Sequence, residues 1–110
     1  MTDFEINKRL AELLGYKVFD LTLPHGKIVT VMRKTYQSDV CKIPLKDYCN
    51  SWDDMGPIIV DLEIEIRFNQ VHDVALAGKL TGRNYYPYET DINPLRAAAL
   101  VAIKVLEARL

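Results

Sequence analysis

The sequence predicts an α+β fold in which helices pack on both faces of an antiparallel sheet of four to five strands. The chain opens with an amphipathic helical pattern and closes with a helical pattern that is apolar almost all the way round. Between them lie segments of branched and aromatic residues that alternate as strands do. Most of these segments are joined by connections too short for a crossover, so neighbouring strands should run antiparallel.

Length and composition are typical of one globular domain. The chain has 110 residues, of which 49% are hydrophobic and 26% charged, and residues 1 to 110 can bury a core of their own. Its net charge of −1, with acids and bases mixed along the chain, disfavours general nucleic-acid binding and anionic membranes. Because no apolar run reaches the length of a membrane span, we expect a cytosolic protein. We interpret Cys41 and Cys49 as reduced packing residues, with a disulfide as the minor alternative.

The first helix should begin at residue 3. Thr2 and Glu5 form the capping-box pattern Thr-x-x-Glu, and Gly15 can adopt the left-handed conformation that ends a helix. Residues 16 to 23 and 27 to 33 then alternate as strands around a Pro-His-Gly turn, which predicts a hairpin.

The middle of the chain predicts a second helix and a second hairpin. The segment CNSWDDMGPII, residues 49 to 59, contains Pro57, so we expect a kinked helix or two short turns. Helical spacing turns four apolar residues toward the core, namely Trp52, Met55, Ile59 and Leu62. Residues 61 to 68 alternate strictly, which predicts a strand with one buried face and one acidic face. A partner strand should follow at residues 71 to 77, and residues 78 to 92 should form a long loop.

The acidic face of that strand would carry Asp61, Glu63 and Glu65. Carboxylates at such spacing can share a hard cation or a proton, but a solvated or lysine-paired face is the favoured interpretation. Residues 35 to 43 could add a third, irregular strand before Pro44.

The last helix should be capped by Asn93 and start at Pro94. Its apolar run is larger than one sheet face can cover, so it is either wedged between elements of its own chain, which we favour, or shared with a partner chain. The second alternative predicts a homo-oligomer through this C-terminal helix, which replacement of Ile103 by lysine should weaken without unfolding the monomer.

The segment from Arg83 to Tyr88 is the candidate ligand site. It combines aromatic rings for stacking with a guanidinium that can hold a phosphate or carboxylate, and Arg96 near the start of the last helix could assist it. The candidate ligand-binding residues are Arg83, Asn84, Tyr85, Tyr86, Tyr88 and Arg96. The equally weighted alternative is that the tyrosines only attach a long loop to the sheet.

Catalytic patterns do not emerge from the sequence. Neither His25 nor His72 has metal-ligand spacing to a cysteine or to the other, and no nucleophile and base can be paired. We therefore expect no enzymatic activity, no metal and no cofactor.

Three blocks carry a resemblance to a known family. Residues 3 to 15, the CNSWDDMGPII block and NPLRAAALVAI, residues 93 to 103, are similar in content and order to the NinX-like bacteriophage proteins. Residues 34 to 48 look like an enlargement relative to that pattern. The matching residues are Asn7, Cys49, Asn50, Trp52, Asp54, Gly56, Pro57, Ile58, Asn93, Pro94, Leu95, Arg96 and Ala97. The resemblance implies an α/β/α sandwich and a small phage accessory protein that acts in the host bacterial cytoplasm; it implies no chemistry.

Two functions are compatible with these expectations. The first is a non-catalytic protein that binds and sequesters a small anionic, nucleotide-like host molecule, with a counter-defence role. The second is a protein-interaction module that docks on a host or phage protein through Tyr85, Tyr86, Tyr88 and Trp52. An enzyme built on the acidic strand is a distant third.

Overall fold

The computed structural model describes residues 1–69, 73–81 and 84–110, and within these the backbone alone of Asn69, Leu80, Thr81 and residues 84–86. In the described residues the chain forms, in order, α1 (Asp3–Leu13), β1 (Tyr16–Thr22), β2 (Ile28–Lys34), a short 3₁₀ turn (Asp39–Cys41), β3 (Ile43–Pro44), α2 (Trp52–Asp61), β4 (Ile64–Asn69), β5 (Val74–Thr81), β6 (Asn84–Asp91) and α3 (Pro94–Glu107). The α+β class is as predicted.

The described strands form two separate antiparallel sheets, in the orders β1-β2-β3 and β4-β5-β6. The prediction of one sheet with four to five strands is therefore wrong. The third strand, expected over residues 35 to 43, is reduced to the two residues Ile43 and Pro44, which leave too short an edge to continue the first sheet. The chain then runs through α2 before it returns as β4, which pairs with β5 instead.

The segment from Gly78 to Ile92 is largely strand, not the long loop that the sequence predicted. The end of β5 and the whole of β6 lie in it, and Gly78 stands opposite Tyr88 in the register. Aromatic residues favour a strand, and Pro87 is tolerated because β6 lies at the edge of its sheet.

Helix α1 packs on the first sheet, and α2 and α3 pack on the second. Helix α1 contacts β1 and α3, α3 contacts β4, β5 and β6, and α2 contacts α3 and β4. The expected arrangement, with helices on both faces of one sheet, is thus not what the described elements show. None of these helices combines the length and the apolar character needed to cross a bilayer.

Helix α3 is the core of the molecule, as its apolar sequence predicted. Its buried residues are Leu95, Ala97, Ala98, Ala99, Val101, Ala102, Ile103 and Val105. The favoured interpretation, a helix wedged within its own chain, is confirmed by its contacts with the second sheet and with both other helices. Ile103 is only 5% exposed, so the helix gives no further reason to expect a homo-oligomer.

The predicted helix ends and the first hairpin are confirmed. Thr2 Oγ1 accepts the N–H of Glu5 at 3.1 Å while Glu5 Oε1 accepts the N–H of Thr2 at 3.0 Å, and Gly15 has a φ of +94°. Strands β1 and β2 pair from Tyr16 opposite Lys34 to Thr22 opposite Ile28. The sequence therefore determines this half of the fold locally.

Helix α2 corrects the expectation for Trp52. It runs as one α-helix through Pro57, which excludes the alternative of two short turns, and its first residue, Trp52, is 57% exposed although helical spacing placed it in the core. Met55 and Leu62, one and three turns later, are buried as predicted. Because Trp52 is the first residue of the helix, it lies a full turn before the residues that reach the core.

The three carboxylates expected on one strand face lie on different elements. Asp61 ends α2, Glu63 lies in the following turn with a φ of +56°, and only Glu65 belongs to β4. Glu63 pairs with Lys79 at 3.5 Å, and Glu65 pairs with Arg67 at 2.8 Å. The acidic row that could have shared a cation is therefore absent from the described strands.

Candidate functional site

The N-terminal ends of the three described helices are tied together by side-chain hydrogen bonds. Asp3, the first residue of α1, accepts from Asn50 Nδ2 at 3.1 Å and from Arg96 Nε at 2.9 Å. Asn93, which caps α3, donates from Nδ2 to the carbonyl of Cys49 at 2.6 Å and to Asn50 Oδ1 at 3.0 Å. We call this cluster the junction; it comprises Asp3, Asn7, Asp47, Cys49, Asn50, Asp91, Asn93 and Arg96.

Asn7 attaches α1 to the loop that precedes α2. Its side chain is nearly buried, its Nδ2 donates to Asp47 Oδ1 at 3.1 Å, and its Oδ1 accepts the N–H of Cys49 at 3.2 Å. A buried amide is stabilising only when its donor and its acceptor are both paired, and here they are. The loop is therefore held rigidly against α1.

Arg96 is engaged within the chain. Its guanidinium contacts Asp3 Oδ1 at 2.9 Å, Asp91 Oδ2 at 2.7 Å and the carbonyl of Met1. Hydrogen bonds to Asp91 and Asp3 raise the pKa of Arg96, and hydrogen bonds from Asn50 and Arg96 lower the pKa of Asp3. An anionic ligand, which the sequence assigned to Arg96, would have to compete with two carboxylates that already neutralise it.

The other predicted ligand residues lie on or before β6. Arg83 is outside the described residues, and Asn84, Tyr85 and Tyr86 are described by their backbone, which belongs to β6. Tyr88 has a side chain that is 57% exposed. Among the described residues the guanidinium of Arg96 donates to Asp3, Asp91 and Met1, whereas Tyr88 lines a groove with the end of α3.

A groove of about 700 Å³ lies beside Tyr88. It is lined by Pro87, Tyr88, Glu89 and Thr90 of β6 and by Lys104, Glu107 and Ala108 at the end of α3. Lys104 Nζ pairs with Glu89 at 2.5 Å, and Glu107 pairs with Arg9 at 3.2 Å. The described lining therefore offers carboxylates and a paired ammonium, which is a poor setting for an anion.

Four exposed apolar side chains lie next to junction residues in the sequence. Met1 is 61% exposed, Phe4 49%, Trp52 57% and Ile92 81%, and each lies within two positions of a junction residue in the sequence. We call these four residues the apolar rim. Such a group of large apolar side chains on a rigid support is typical of a docking surface. The prediction from helical spacing missed the apolar rim because it placed Trp52 in the core.

Cys49 has no role as a nucleophile. It is fully buried, and burial together with the carboxylates of Asp3 and Asp47 raises the pKa of its thiol to about 12. No group of three or more His, Cys, Asp or Glu side chains in the described residues is placed to hold a metal ion.

We therefore expect iodoacetamide at pH 8 to alkylate Cys41, which is exposed, and to leave Cys49 unmodified in the folded chain. Intact mass spectrometry should show one adduct on the native protein and two after denaturation in guanidinium. Rapid addition of two adducts to the native protein would contradict the buried position of Cys49.

Comparison of the chain with models of protein families, with curated proteins and with solved structures gives no match. The resemblance to the NinX-like proteins thus stays a prediction. The structure adds that residues from all three of its sequence blocks meet in the junction, namely Asn7, Cys49, Asn50, Asn93 and Arg96.

Proposed function

We propose that the protein is a non-catalytic interaction module, an accessory protein of a bacteriophage in the host cytoplasm, that docks on a host or phage protein through the apolar rim. The observation that carries the proposal is the exposure of Trp52, 57%, at the start of α2. Tryptophan is the residue most enriched among those that dominate binding energy at interfaces.

The support beneath Trp52 favours tight docking. Ser51 Oγ accepts the N–H of Asp54 at 3.3 Å and so caps the first turn, and Asp54 Oδ2 accepts the N–H of Asp47 at 3.1 Å. The neighbouring Asn50 is fixed by Asp3, Asp47 and Asn93. A partner would find the backbone on both sides of Trp52 already ordered, which reduces the entropy lost on binding.

A second function, sequestration of a small anionic nucleotide-like molecule, is favoured by the groove beside Tyr88. Its volume of about 700 Å³ lies within the range of small-molecule sites. The described lining pairs its one lysine with Glu89, so the positive charge for a phosphate would have to come from Arg83. We place this function second because the described lining supplies the ring of Tyr88 but no unpaired cation for an anion.

Replacement of Trp52 by alanine separates docking from stability. Because the side chain is exposed, we expect the free energy of unfolding to change by about 0.5 kcal/mol or less, whereas partner binding should weaken by about 2 kcal/mol or more, roughly thirtyfold. The protein is immobilised, partners are captured from bacterial lysate, and the affinity of the purified partner is then measured by calorimetry.

Tyr36→Ala is the matched control, since Tyr36 is an 82% exposed aromatic residue outside the rim and should leave both quantities unchanged. A partner that binds the Trp52→Ala variant as tightly as the parent would overturn the docking proposal. Thermal stabilisation by a nucleotide, lost in Tyr88→Ala and retained in Trp52→Ala, would establish sequestration instead.

A further inference from the structure

Tyr48 is a buried polar residue that the proposed docking surface does not use. Its side chain is 1% exposed, yet its hydroxyl makes no hydrogen bond to any residue within 1–69, 73–81 and 84–110. A phenol hydroxyl that loses water on folding normally finds a partner, because leaving it unpaired costs about 1 to 3 kcal/mol. Among the described residues, the Tyr48 hydroxyl therefore remains a donor without an acceptor.

The side chain of Tyr48 lines a pocket of about 180 Å³. The pocket lies between the start of β1, the end of β2, the loop before α2 and α2 itself, and its other lining residues are Leu14, Tyr16, Lys34, Lys46, Asp53, Asp54, Pro57 and Ile58. Burial, and then the proximity of Tyr16 and Asp54, raise the pKa of Tyr48. Tyr16 and Asp54 line the pocket together with Tyr48, and the raised pKa keeps the Tyr48 hydroxyl protonated, as a hydrogen-bond donor.

The pocket carries two positive and two negative side chains that are not paired with one another. Lys34 Nζ lies 4.0 Å from the centre of the Tyr16 ring and donates to the carbonyl of Leu14 at 3.4 Å. In the described part of the chain neither Lys34 nor Lys46 has a carboxylate within ion-pair distance, and neither does Asp53 or Asp54 have an ammonium. Within the described residues the Asp54 carboxylate accepts one hydrogen bond, from the backbone N–H of Asp47.

We propose that this pocket binds a small zwitterion of the free amino-acid class. Its carboxylate would accept from the Tyr48 hydroxyl and from a lysine, and its ammonium would face Asp53 and Asp54. A simple anion would pair with the lysines but leave both carboxylates without a cation, and a simple cation would do the reverse, whereas a zwitterion offers an opposite charge to each pair.

The size of the pocket limits the ligand. A volume of about 180 Å³ equals roughly six water molecules at about 30 Å³ each, which admits a small amino acid and excludes a nucleotide. Leu14, Pro57 and Ile58 can contact a short apolar side chain. This site is thus distinct in ligand class from the groove beside Tyr88.

The binding test uses the whole chain labelled with ¹⁵N and titrated to about 20 mM with glycine, alanine, serine, proline and valine. We expect at least one of these to shift the amide signals of residues 46 to 48 and 53 to 54 saturably, and acetate, inorganic phosphate and methylamine to bind at least about tenfold more weakly. If none of the five shifts those signals, or if acetate or phosphate binds as well as the best amino acid, the proposal is overturned.

Tyr48→Phe tests the role of the hydroxyl. Because this hydroxyl has no partner among the residues that the structure describes, its removal should not lower Tm, while the affinity for the amino acid should fall by about tenfold or more through loss of a hydrogen bond to a charged group. Tyr36→Phe is the control and should change neither. Unchanged affinity in Tyr48→Phe, or a Tm lowered by several degrees, would show that the hydroxyl serves the fold and not a ligand.

Discussion

Replacing Ile103 by lysine is expected to destabilise the folded chain severely. The Ile103 side chain is 5% exposed on α3, a helix that contacts the second sheet and both other helices, so the variant loses apolar burial and places an ammonium in the core. The combined cost should be at least about 4 kcal/mol, against a total stability of about 5 to 15 kcal/mol for a domain of this size. Chemical denaturation followed by circular dichroism would measure it.

Ile28→Lys is the matched control for this prediction. Ile28 begins β2 and is 63% exposed, so the same chemical change there should alter the free energy of unfolding by about 0.5 kcal/mol or less. The sequence alone left open that Ile103 faces a second subunit. A folded, monomeric Ile103→Lys variant obtained from an oligomeric parent would restore that alternative and contradict the core described above.

Features set by neighbours in the sequence were predictable. The capping box at Thr2, the left-handed stop at Gly15, the first hairpin and the cap at Asn93 each depend on residues within a few positions of one another. The burial of α3 was predictable for a related reason, since a helix without a polar face must be enclosed. The number of sheets was not predictable, because no residue pattern within β3 or β4 decides whether β4 pairs with β3 or begins a new sheet.

In the candidate site, too, the features set by nearby residues were predictable and those set by the tertiary fold were not. Helical spacing correctly turned Met55 and Leu62 inward, but spacing cannot tell where the core ends along the helix, and so it turned Trp52 inward as well. The positive charge of Arg96 suggested an anion because its partners, Asp3 and Asp91, lie 93 and 5 positions away and come together only in the fold. Tyr48 gave no sequence signal at all, since an unpaired hydroxyl is a property of its surroundings.

Asn93→Ala is expected to cost about 1.5 to 5 kcal/mol, because one side chain both caps α3 and links it to the loop before α2. Its Oδ1 accepts the N–H of Leu95 at 3.0 Å and of Arg96 at 3.3 Å, and a cap of this kind contributes about 0.5 to 2 kcal/mol. Its Nδ2 donates to the carbonyl of Cys49 and to Asn50 Oδ1, and losing these bonds leaves a largely enclosed carbonyl unpaired, which costs a further 1 to 3 kcal/mol or so.

Two further variants separate the cap from the cross-link. Asn93→Asp keeps the capping acceptor but has no donor for Cys49 and Asn50, so we expect it to be more stable than Asn93→Ala yet clearly less stable than the parent. Ser51→Ala removes a cap that has no cross-link, and about 0.5 to 2 kcal/mol should be lost. Urea denaturation of the three variants gives the comparison. If Asn93→Asp is as stable as the parent, the cross-link contributes nothing and the junction cannot be what holds the three helix ends, and hence Trp52, in place.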